Sequence, residues 1–374
     1  MSGATDFGKV MVMAGGTGGH VFPALAVARA LQSEYNAEIV WMGTAAGLEA
    51  RVIPAAGIAT EWIPVAGLRG KGALSWLAAP FRVLRAVSSA LSVLRRHQPR
   101  LVIGMGGFAS GPGGLAARLL RLPLVVHEQN AVAGLTNRML AHVATRVLEA
   151  FPQTFPAARK AVCVGNPVRA DILALPAPAQ RFADRSGRLR VLVIGGSLGA
   201  MALNKLLPAA LRMLPAEQRP MVWHQAGRSL DVASESYVGL AAEMGDDLRL
   251  VEFIEDMAAA YAWADVVVCR AGALTVAELA AVGLPALLVP FPFAVDDHQT
   301  RNGQYLVEAG AALMMQESAL DAASLAEVLQ SLLIDRSQLL KMAEAARGCA
   351  WPHATQSIVE HCLAAAGVSL KVAA

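Results

Sequence analysis

Residues 265–302 read DVVVCRAGALTVAELAAVGLPALLVPFPFAVDDHQTRN, and this stretch predicts the fold. A β-branched run at residues 266–269 leads through a turn into helix-forming residues that end at Gly283, and a second apolar run follows at residues 286–289. Strand, turn, helix and strand in this order predict a βαβ unit with parallel strands. In such sheets ligands bind beyond the carboxyl ends of the strands, so we expect the two loops that follow the strands to face one site.

Glu278 lies about one turn into the predicted helix. From there we expect its carboxylate to accept hydrogen bonds from two vicinal hydroxyls, such as those of a ribose. A lone glutamate on a helix is usually only solvated. Here, however, the polar run Asp-Asp-His-Gln at residues 296–299 follows the next strand, and this run favours the ligand interpretation.

The composition predicts two α/β domains and argues against a nucleic-acid partner. A chain of 374 residues is long enough for two domains of ordinary size, and its low aromatic content of 5% suits α/β architecture. The net charge is only +3, and no basic run is interleaved with aromatic residues. The charge is unevenly distributed, because no acidic residue lies between Glu61 and Glu128 whereas nine Lys and Arg residues do.

The sequence shows no feature of a disulfide-bonded, exported or membrane-spanning protein. The four cysteines, Cys163, Cys269, Cys349 and Cys362, lie far apart without metal-site spacing, so we interpret them as reduced core residues. No signal sequence is expected, because an early Asp6 and a glycine-rich run stand where the apolar stretch would lie. The uncharged run at residues 279–295 contains three prolines and falls short of the ~20 residues of a spanning helix.

The first glycine-rich loop follows an apolar run at residues 10–14 and reads GGTGGH at residues 15–20, before a predicted helix at 23–31. Its backbone N–H groups are expected to approach an anion, which the helix N-terminus also attracts. The loop is neither a Walker motif nor a good dinucleotide fingerprint, since no Gly-Lys-Ser/Thr follows and the next strand ends without an acidic residue. His20 ends this loop. Although a histidine here is often only packed, its polar surroundings make it a candidate general base.

Two more strands of the first half end in residues suited to a site. Residues 101–104 precede a second glycine-rich loop at 105–114, and a strand at 124–126 precedes His-Glu-Gln-Asn at 127–130. Because the carboxyl ends of parallel strands meet at one edge, we expect these residues to lie near His20.

The second half repeats the pattern of strand, glycine loop and helix. A linker at about residues 176–188 precedes a strand at 191–194 and the loop GGSLG at 195–199. Ser197 and the loop amides are expected to bind a phosphate.

A helix is predicted over residues 72–94, with leucines close to one face and Pro80 interrupting or kinking it. The simpler interpretation is a core-facing stripe with solvated arginines opposite. Apolar residues off that stripe lie beside basic ones, which favours a surface that rests on anionic lipid headgroups without spanning the membrane. The predicted membrane patch comprises Leu68, Lys71, Trp76, Leu77, Phe81, Arg82 and Arg85.

Six strings in this order and spacing resemble the MurG family: GGTGGHVFPALAVA, GMGGFASGPGG, HEQN, GNPVR, GGSLGA and RAGALTVAELAAVGLPALLVPFPFAVDDHQTRN. Members of this family are bacterial N-acetylglucosaminyltransferases that convert lipid I to lipid II in peptidoglycan synthesis. The resemblance implies an α/β GT-B fold with two Rossmann-like parallel-sheet domains facing across a cleft. Residues 1–168 would bind lipid I and the membrane, with the C-terminal helix within 351–374 packing back on them. Residues 169–350 would bind UDP-GlcNAc.

The resemblance also assigns site residues. Glu278 would bind the ribose hydroxyls, Ile254 the uracil through its backbone, and Ser197 the diphosphate. Arg169 would neutralise phosphate charge, and Gln299 would bind the sugar hydroxyls. The full predicted donor set is Thr17, Gly18, Gly19, Asn130, Arg169, Ser197, Ile254, Ala273, Leu274, Thr275, Glu278 and Gln299. The predicted acceptor set is Gly106, Gly107, Ser110, His127, Glu128 and Asn130.

Three positions depart from the pattern of the family. Leu198 replaces the Gln of GGSQG, His298 stands where some members have a second Gln, and Phe108 stands where Tyr is often found. These departures put in doubt the contacts that an amide or a phenol would make there.

The implied reaction is inverting transfer of GlcNAc to the muramyl 4-hydroxyl of lipid I, which the resemblance places at the cytoplasmic face of the bacterial inner membrane. His20 would take the hydroxyl proton, while loop amides, a helix N-terminus and Arg169 would stabilise the departing UDP. No Asp-x-Asp motif is present, so we expect neither a metal nor another cofactor. Cell-wall and division proteins are further candidate partners.

Three alternatives remain open from the sequence. A UDP-GlcNAc 2-epimerase shares the fold, but it has no need of a basic apolar surface. A glycosyltransferase acting on another lipid would need that surface too. A silent nucleotide-sugar sensor or a scaffold is a third alternative, against which the presence of His20, Glu278 and Gln299 argues.

Overall fold

The computed structural model describes residues 7–65, 79–183, 185–196 and 199–368, and the chain forms two compact units. The first unit runs to Pro167 and resumes at His353, and the second extends from Val168 to Pro352. Each unit is built on a parallel β-sheet with helices, so the predicted α/β class is confirmed.

Each sheet has strands in a doubly wound order. The strands of the first unit are β1 Lys9–Met13, β2 Glu38–Gly43, β3 Ala59–Trp62, β4 Leu101–Gly104, β5 Leu124–Glu128, β6 Arg146–Glu149 and β7 Val162–Cys163. Those of the second are β8 Arg190–Ile194, β9 Met221–Gln225, β10 Leu248–Val251, β11 Val266–Cys269, β12 Ala286–Leu288 and β13 Ala312–Met314. In the described residues the orders are β3-β2-β1-β4-β5-β6-β7 and β10-β9-β8-β11-β12-β13, with every neighbouring pair parallel.

The helices connect these strands. They are α1 Gly18–Tyr35, α2 Glu49–Ala55, α3 Ala79–His97, α4 Ser110–Leu119, α5 Leu135–Leu140, α6 Ala170–Leu173, α7 Pro178–Ala183, α8 Met201–Met213, α9 Leu230–Tyr237, α10 Leu240–Met244, α11 Met257–Trp263, α12 Ala273–Val282, α13 His298–Glu308, α14 Ala322–Ile334, α15 Arg336–Gly348 and α16 Ala354–Ala365. Helix α16 returns to the first unit, where it packs against α1.

The central strand β1 is buried on both faces. Val10 and Val12 belong to a core that includes residues of α1 and α16, whereas Met11 and Met13 belong to a second core with residues of α3 and α4. Because successive side chains of a strand point to opposite faces, this arrangement explains why β1 is a continuous apolar run.

The stretch from β11 through α12 to β12 forms the βαβ unit that the sequence predicts. β11 pairs in parallel with β12, and Val267 lies opposite Ala286. Helix α12 ends at Gly283, which adopts a left-handed conformation with φ +67°. Glycine is favoured there because other residues pay a steric cost at positive φ.

Three strands, two boundaries and part of the linker differ from the prediction. Helix α7 Pro178–Ala183 lies within the predicted linker at residues 176–188. The sequence pattern does not predict β3, β6 or β13, which are short; the edge strand β3 is also only half-buried and of mixed composition. Helix α1 begins at Gly18 instead of residue 23, so the end of the first glycine loop lies in its first turn. Strand β5 extends to Glu128, so His127 and Glu128 belong to the strand rather than following it.

The predicted membrane patch is only partly covered by the described residues. Leu68, Lys71, Trp76 and Leu77 lie outside the described residues. Phe81, Arg82 and Arg85 lie on α3, where the side chain of Phe81 is 75% exposed. No helix in the described part of the chain is both long enough and apolar enough to cross a membrane.

Candidate functional site

The loops after β1 and β4 pack against each other at the carboxyl edge of the first sheet. A Cβ atom added to Gly107, whose φ is +86°, would lie 2.5 Å from the carbonyl oxygen of Gly15. One added to Gly106, whose φ is +92°, would lie 2.5 Å from Nδ1 of His20. Both positions therefore require glycine, and they bring the predicted acceptor loop into contact with His20.

A buried carboxylate holds the first glycine loop. Glu49 of α2 accepts hydrogen bonds from the Gly16 N–H at 2.9 Å, the Thr44 N–H at 3.1 Å and the Thr44 hydroxyl at 2.7 Å. Burial alone would raise the pKa of Glu49, but these hydrogen bonds outweigh it and hold the pKa below its usual value. The sequence analysis missed Glu49, whose only local signal is its place just after Gly47, where a Cβ atom would collide with the carboxylate.

The contact to Glu49 changes which part of this loop is open to an anion. The Gly16 amide is already engaged, and the His20 amide donates to the Thr17 carbonyl. Thr17 is the extended N-cap residue of α1, whose first turn carries no acidic residue. The predicted donor residues Thr17, Gly18 and Gly19 thus lie at a helix N-terminus, where the dipole attracts negative charge.

A chain of side-chain hydrogen bonds runs from His20 into the interior. Nδ1 of His20 lies 2.8 Å from Oε1 of Gln129, and Nε2 of Gln129 lies 3.1 Å from Nδ1 of His127. Nε2 of His127 lies 3.0 Å from the carbonyl oxygen of Gly165. The side-chain amide of Asn166 donates to the backbone carbonyl oxygen of Gln129 at 2.9 Å. The motifs HEQN and GNPVR contain Gln129, Gly165 and Asn166, but the sequence analysis assigned no role to these residues.

Glu128 shapes the loop after β5. Its carboxylate accepts from the backbone N–H of Asn130 at 3.0 Å, that of Gly134 at 3.1 Å and the side-chain amide of Asn137 at 2.9 Å. The side-chain amide of Asn130 donates to it as well, at 3.2 Å. These contacts fix the position of Asn130, which both predicted substrate sets contain.

Three residues of the predicted acceptor set are buried and bonded within the unit. His127 and Glu128 are less than 3% exposed, and Ser110 donates its hydroxyl to carbonyl oxygens of Met13 and Gly106. They organise the loops that carry Gly106, Gly107 and Asn130. Direct contact of these three side chains with an acceptor stays a prediction.

Glu278 of the second unit lies on α12 and is held by Tyr261. The phenol hydroxyl of Tyr261, on α11, donates to Oε2 of Glu278 at 2.8 Å. Burial raises the pKa of Glu278, and the Tyr261 hydrogen bond and the charge of Arg169 oppose that rise. Within the described contacts Oε1 accepts no hydrogen bond, so this oxygen can receive a ligand hydroxyl.

Four further donor candidates lie near that carboxylate or at the start of its helix. Ala273, Leu274 and Thr275 form the first turn of α12 after the extended residue Gly272, and this turn contains no acidic residue. Arg169 is half-exposed and pairs with Asp171 at 3.2 Å. Helix α6, which begins directly after Arg169, packs against α12, so the predicted phosphate and ribose ligands lie in one part of the second unit.

The loop after β12 is fixed by two hydrogen-bonding side chains. Gln299 accepts from the Phe291 N–H at 2.9 Å, and Arg270 donates to the carbonyl oxygens of Val289 and Pro290. Arg270 also pairs with Glu317. The described contacts of Gln299 use only its amide oxygen, so the amide nitrogen is available to a sugar hydroxyl.

The glycine loop after β8 packs closely against Gly227. A Cβ atom added to Gly227, whose φ is +65°, would lie 2.5 Å from the Cα atom of Gly199. The side-chain nitrogen of Asn204 donates to the Ala226 carbonyl at 3.0 Å, and its side-chain oxygen accepts from Nε2 of His224 at the same distance. Burial lowers the pKa of His224 to about 4. The sequence analysis missed these contacts.

Three further residues of the predicted site lie in or near this part of the second unit. Ser197 and Leu198 lie outside the described residues, and Ile254 is buried.

No group of three or more His, Cys, Asp and Glu side chains in the described ranges is arranged to hold a metal ion. Independence from metal stays a prediction of the sequence analysis.

The sequence matches two halves of one glycosyltransferase family. Residues 10–149 match the Glycosyltransferase family 28 N-terminal domain, and residues 190–358 match the C-terminal domain of the same family. The two matches lie in the first and second structural units, respectively, apart from the last residues of the second match.

Several relatives match nearly the whole chain. The UDP-N-acetylglucosamine--N-acetylmuramyl-(pentapeptide) pyrophosphoryl-undecaprenol N-acetylglucosamine transferase of Nitrosococcus oceani is 56% identical over 95% of this chain and 98% of its own length. The enzyme of the same name from Alkalilimnicola ehrlichii is 57% identical, with the same coverage. The crystal structure of Acinetobacter baumannii MurG is 42% identical and superposes with a TM-score of 0.83 over 95% of this chain and 99% of that one.

These similarities extend over both units and far exceed what a shared fold alone produces. The chain therefore belongs to the MurG family of GT-B glycosyltransferases.

Proposed function

We propose that this protein transfers GlcNAc from UDP-GlcNAc to the muramyl 4-hydroxyl of lipid I, giving lipid II and UDP in peptidoglycan synthesis. The observation that carries this function is identity of more than half of the residues to N-acetylglucosamine transferases over almost the full length of both chains. The GT-B fold alone would leave the epimerase and other glycosyltransferases open.

The second unit is proposed to hold the donor. Glu278 would accept hydrogen bonds from the ribose hydroxyls through the oxygen that Tyr261 leaves open. The first turn of α12, the glycine loop after β8 and Arg169 would stabilise the negative charge of the diphosphate as UDP leaves. Gln299 would bind the sugar hydroxyls through its amide nitrogen.

The first unit is proposed to hold the acceptor. His20 lies at the edge where the two glycine loops meet, and Asn130 lies on the neighbouring loop that Glu128 fixes. In an inverting displacement the 4-hydroxyl oxygen attacks the anomeric carbon from the face opposite UDP. His20 would take the hydroxyl proton as the new bond forms.

An apolar and basic face of the first unit supports peripheral binding to an anionic membrane. The side chains of Phe81 and Leu84 on α3, Leu119 on α4 and Met139 on α5 are 59–75% exposed. Helix α3 packs against α4, and α4 against α5. Basic residues lie on the same helices, at Arg82, Arg85, Arg118 and Arg138. We propose that this face rests on headgroups at the cytoplasmic side of the inner membrane, where lipid I is anchored. Cell-wall and division proteins remain candidate partners.

Replacing His20 tests the acceptor half of the proposal. His20→Ala is expected to lower kcat by roughly 10²- to 10⁴-fold, because the attacking hydroxyl loses its base, while UDP-GlcNAc binding persists. Turnover with a soluble lipid I analogue and donor binding by calorimetry would be measured. His353→Ala, at an exposed histidine before α16, serves as the matched control. Near-normal turnover of His20→Ala would remove this role.

Replacing Glu278 tests the donor half. Glu278→Gln is expected to raise the KM for UDP-GlcNAc by roughly 10- to 100-fold, because hydrogen bonds to a charged carboxylate are lost. A donor with a 2′-deoxyribose should bind more weakly to the unaltered protein but not to the variant, since the two changes remove the same contact. Glu308→Gln, at an exposed glutamate of α13, is the control. Equal sensitivity of protein and variant to the deoxy donor would contradict the ribose contact.

Vesicle binding tests the membrane face. Replacing Phe81 and Leu84 together by serine is expected to weaken binding to phosphatidylglycerol-containing vesicles by roughly tenfold or more, because two exposed apolar side chains no longer enter the interface. Co-sedimentation would measure it. Val238 and Ile334, which are equally exposed on the second unit, give the control serine pair. A similar loss for both pairs, or none for either, would rule out this face.

A further inference from the structure

We propose that Gln129 and His127 are positioning residues that hold His20 in the tautomer with its proton on Nδ1, so that Nε2 carries the lone pair that accepts the substrate proton. This inference rests on the proposed role of His20. Neither of the two residues need touch substrate, because both act through the hydrogen-bonded chain that ends at the His20 ring.

The chain begins at a group whose hydrogen-bonding role is fixed. The carbonyl oxygen of Gly165 can only accept, and it lies 3.0 Å from Nε2 of His127. Nε2 of His127 must therefore carry a proton. Burial lowers the pKa of His127 to about 4, so the ring is neutral at working pH and its Nδ1 is an acceptor. The interior thus offers Gln129 an acceptor and not a donor.

Gln129 transmits this direction to His20. Its side-chain nitrogen lies 3.1 Å from the acceptor Nδ1 of His127 and 3.3 Å from the carbonyl oxygen of the same residue. Only the NH₂ group can face these two acceptors, because the reversed amide would place its oxygen against them. The amide oxygen is then left facing Nδ1 of His20 at 2.8 Å. For that contact to be a hydrogen bond in a neutral ring, Nδ1 of His20 must carry the proton.

The surroundings keep the chain from rearranging. Gln129 is 1% exposed, and the side-chain amide of Asn166 donates to its backbone carbonyl oxygen. The backbone of Gly106 lies against the His20 ring, because a Cβ atom added to Gly106 would be only 2.5 Å from Nδ1 of His20. On the other side of the ring, Nε2 of His20 forms no hydrogen bond with any part of the chain that the structure describes. A neutral imidazole protonated on Nδ1 has its single lone pair there.

With His20 in this tautomer, each bond and proton of the proposed reaction is accounted for. The O–H bond of the acceptor 4-hydroxyl breaks, and its proton moves to Nε2 of His20, which becomes an imidazolium. The oxygen electron pair forms the bond to the anomeric carbon of GlcNAc. The bond from that carbon to the diphosphate oxygen breaks, and its electron pair leaves with UDP. The opposite tautomer would point an N–H at the hydroxyl and could not accept its proton.

An amide fits this position better than a carboxylate does. A carboxylate at residue 129 would still accept from Nδ1 of His20, but it has no proton to donate to Nδ1 of His127. Two acceptors would then face each other in a buried place, and neither would have a hydrogen-bond donor. The pairing of Gln129 with a neutral buried histidine therefore sets orientation without adding charge.

Imidazole nitrogen NMR tests the inference directly. The full chain labelled with ¹⁵N-histidine would be recorded by long-range ¹H–¹⁵N correlation at about pH 8.5, where an ordinary histidine is neutral. Loss of signals in His20→Ala and His127→Gln would assign the two rings. We expect protonated Nδ1 and bare Nε2 in His20, and the reverse in His127. A His20 ring protonated on Nε2 would overturn the inference.

The variant Gln129→Leu removes both contacts at nearly constant volume. We expect averaged His20 tautomers and a roughly tenfold or greater loss of kcat, with the KM for UDP-GlcNAc unchanged, because only the base is misoriented. Gln330→Leu, on the exposed face of α14, is the control. An unchanged His20 spectrum in a folded Gln129→Leu protein would also overturn the inference. Where that variant does not fold, the spectrum of the unaltered protein still decides. Failure of the proposed function would appear separately, as absence of transfer by the unaltered protein.

Discussion

The close approach of two glycine loops is the constraint on which the first unit depends. Gly107 lies against the backbone of Gly15, and Gly106 lies against the ring of His20, at distances that no side chain permits. The buried carboxylate of Glu49 holds the first of these loops through three hydrogen bonds. Together these contacts give His20 a defined place at the edge of the sheet, and its ring can then be oriented by Gln129 and the residues behind it.

The second unit uses the same elements for a different task. Gly227 packs closely against its glycine loop. The N-terminus of α12 has a positive dipole end, and no acidic residue lies in its first turn. Tyr261 engages one oxygen of Glu278 and leaves the other open to a ligand. Both units therefore hold polar groups by buried internal hydrogen bonds, so that substrate charge would meet groups that need little reorganisation.

Sequence reasoning predicted most of the fold, because buried parallel strands are continuous apolar runs and glycine loops mark their ends. It missed β3 and β6, in which polar or charged residues leave at most two apolar residues in a row, and the three-residue edge strand β13. It placed Glu278, His20 and Gln299 at the ends of the right strands or helices, yet it missed Glu49, Gln129 and Tyr261. Those residues act through contacts with residues distant in sequence, which no local pattern encodes. The resemblance to a family identified substrate classes that geometry alone would not distinguish.

Groups of this chain itself are proposed to carry out GlcNAc transfer. The most direct measurement incubates the purified protein with UDP-GlcNAc and a short-chain lipid I analogue in EDTA, and follows UDP and the disaccharide product. We expect UDP and disaccharide in equal amounts, at a rate that added Mg²⁺ does not change. Epimerisation of UDP-GlcNAc without acceptor, or no product even with Mg²⁺, would contradict the account.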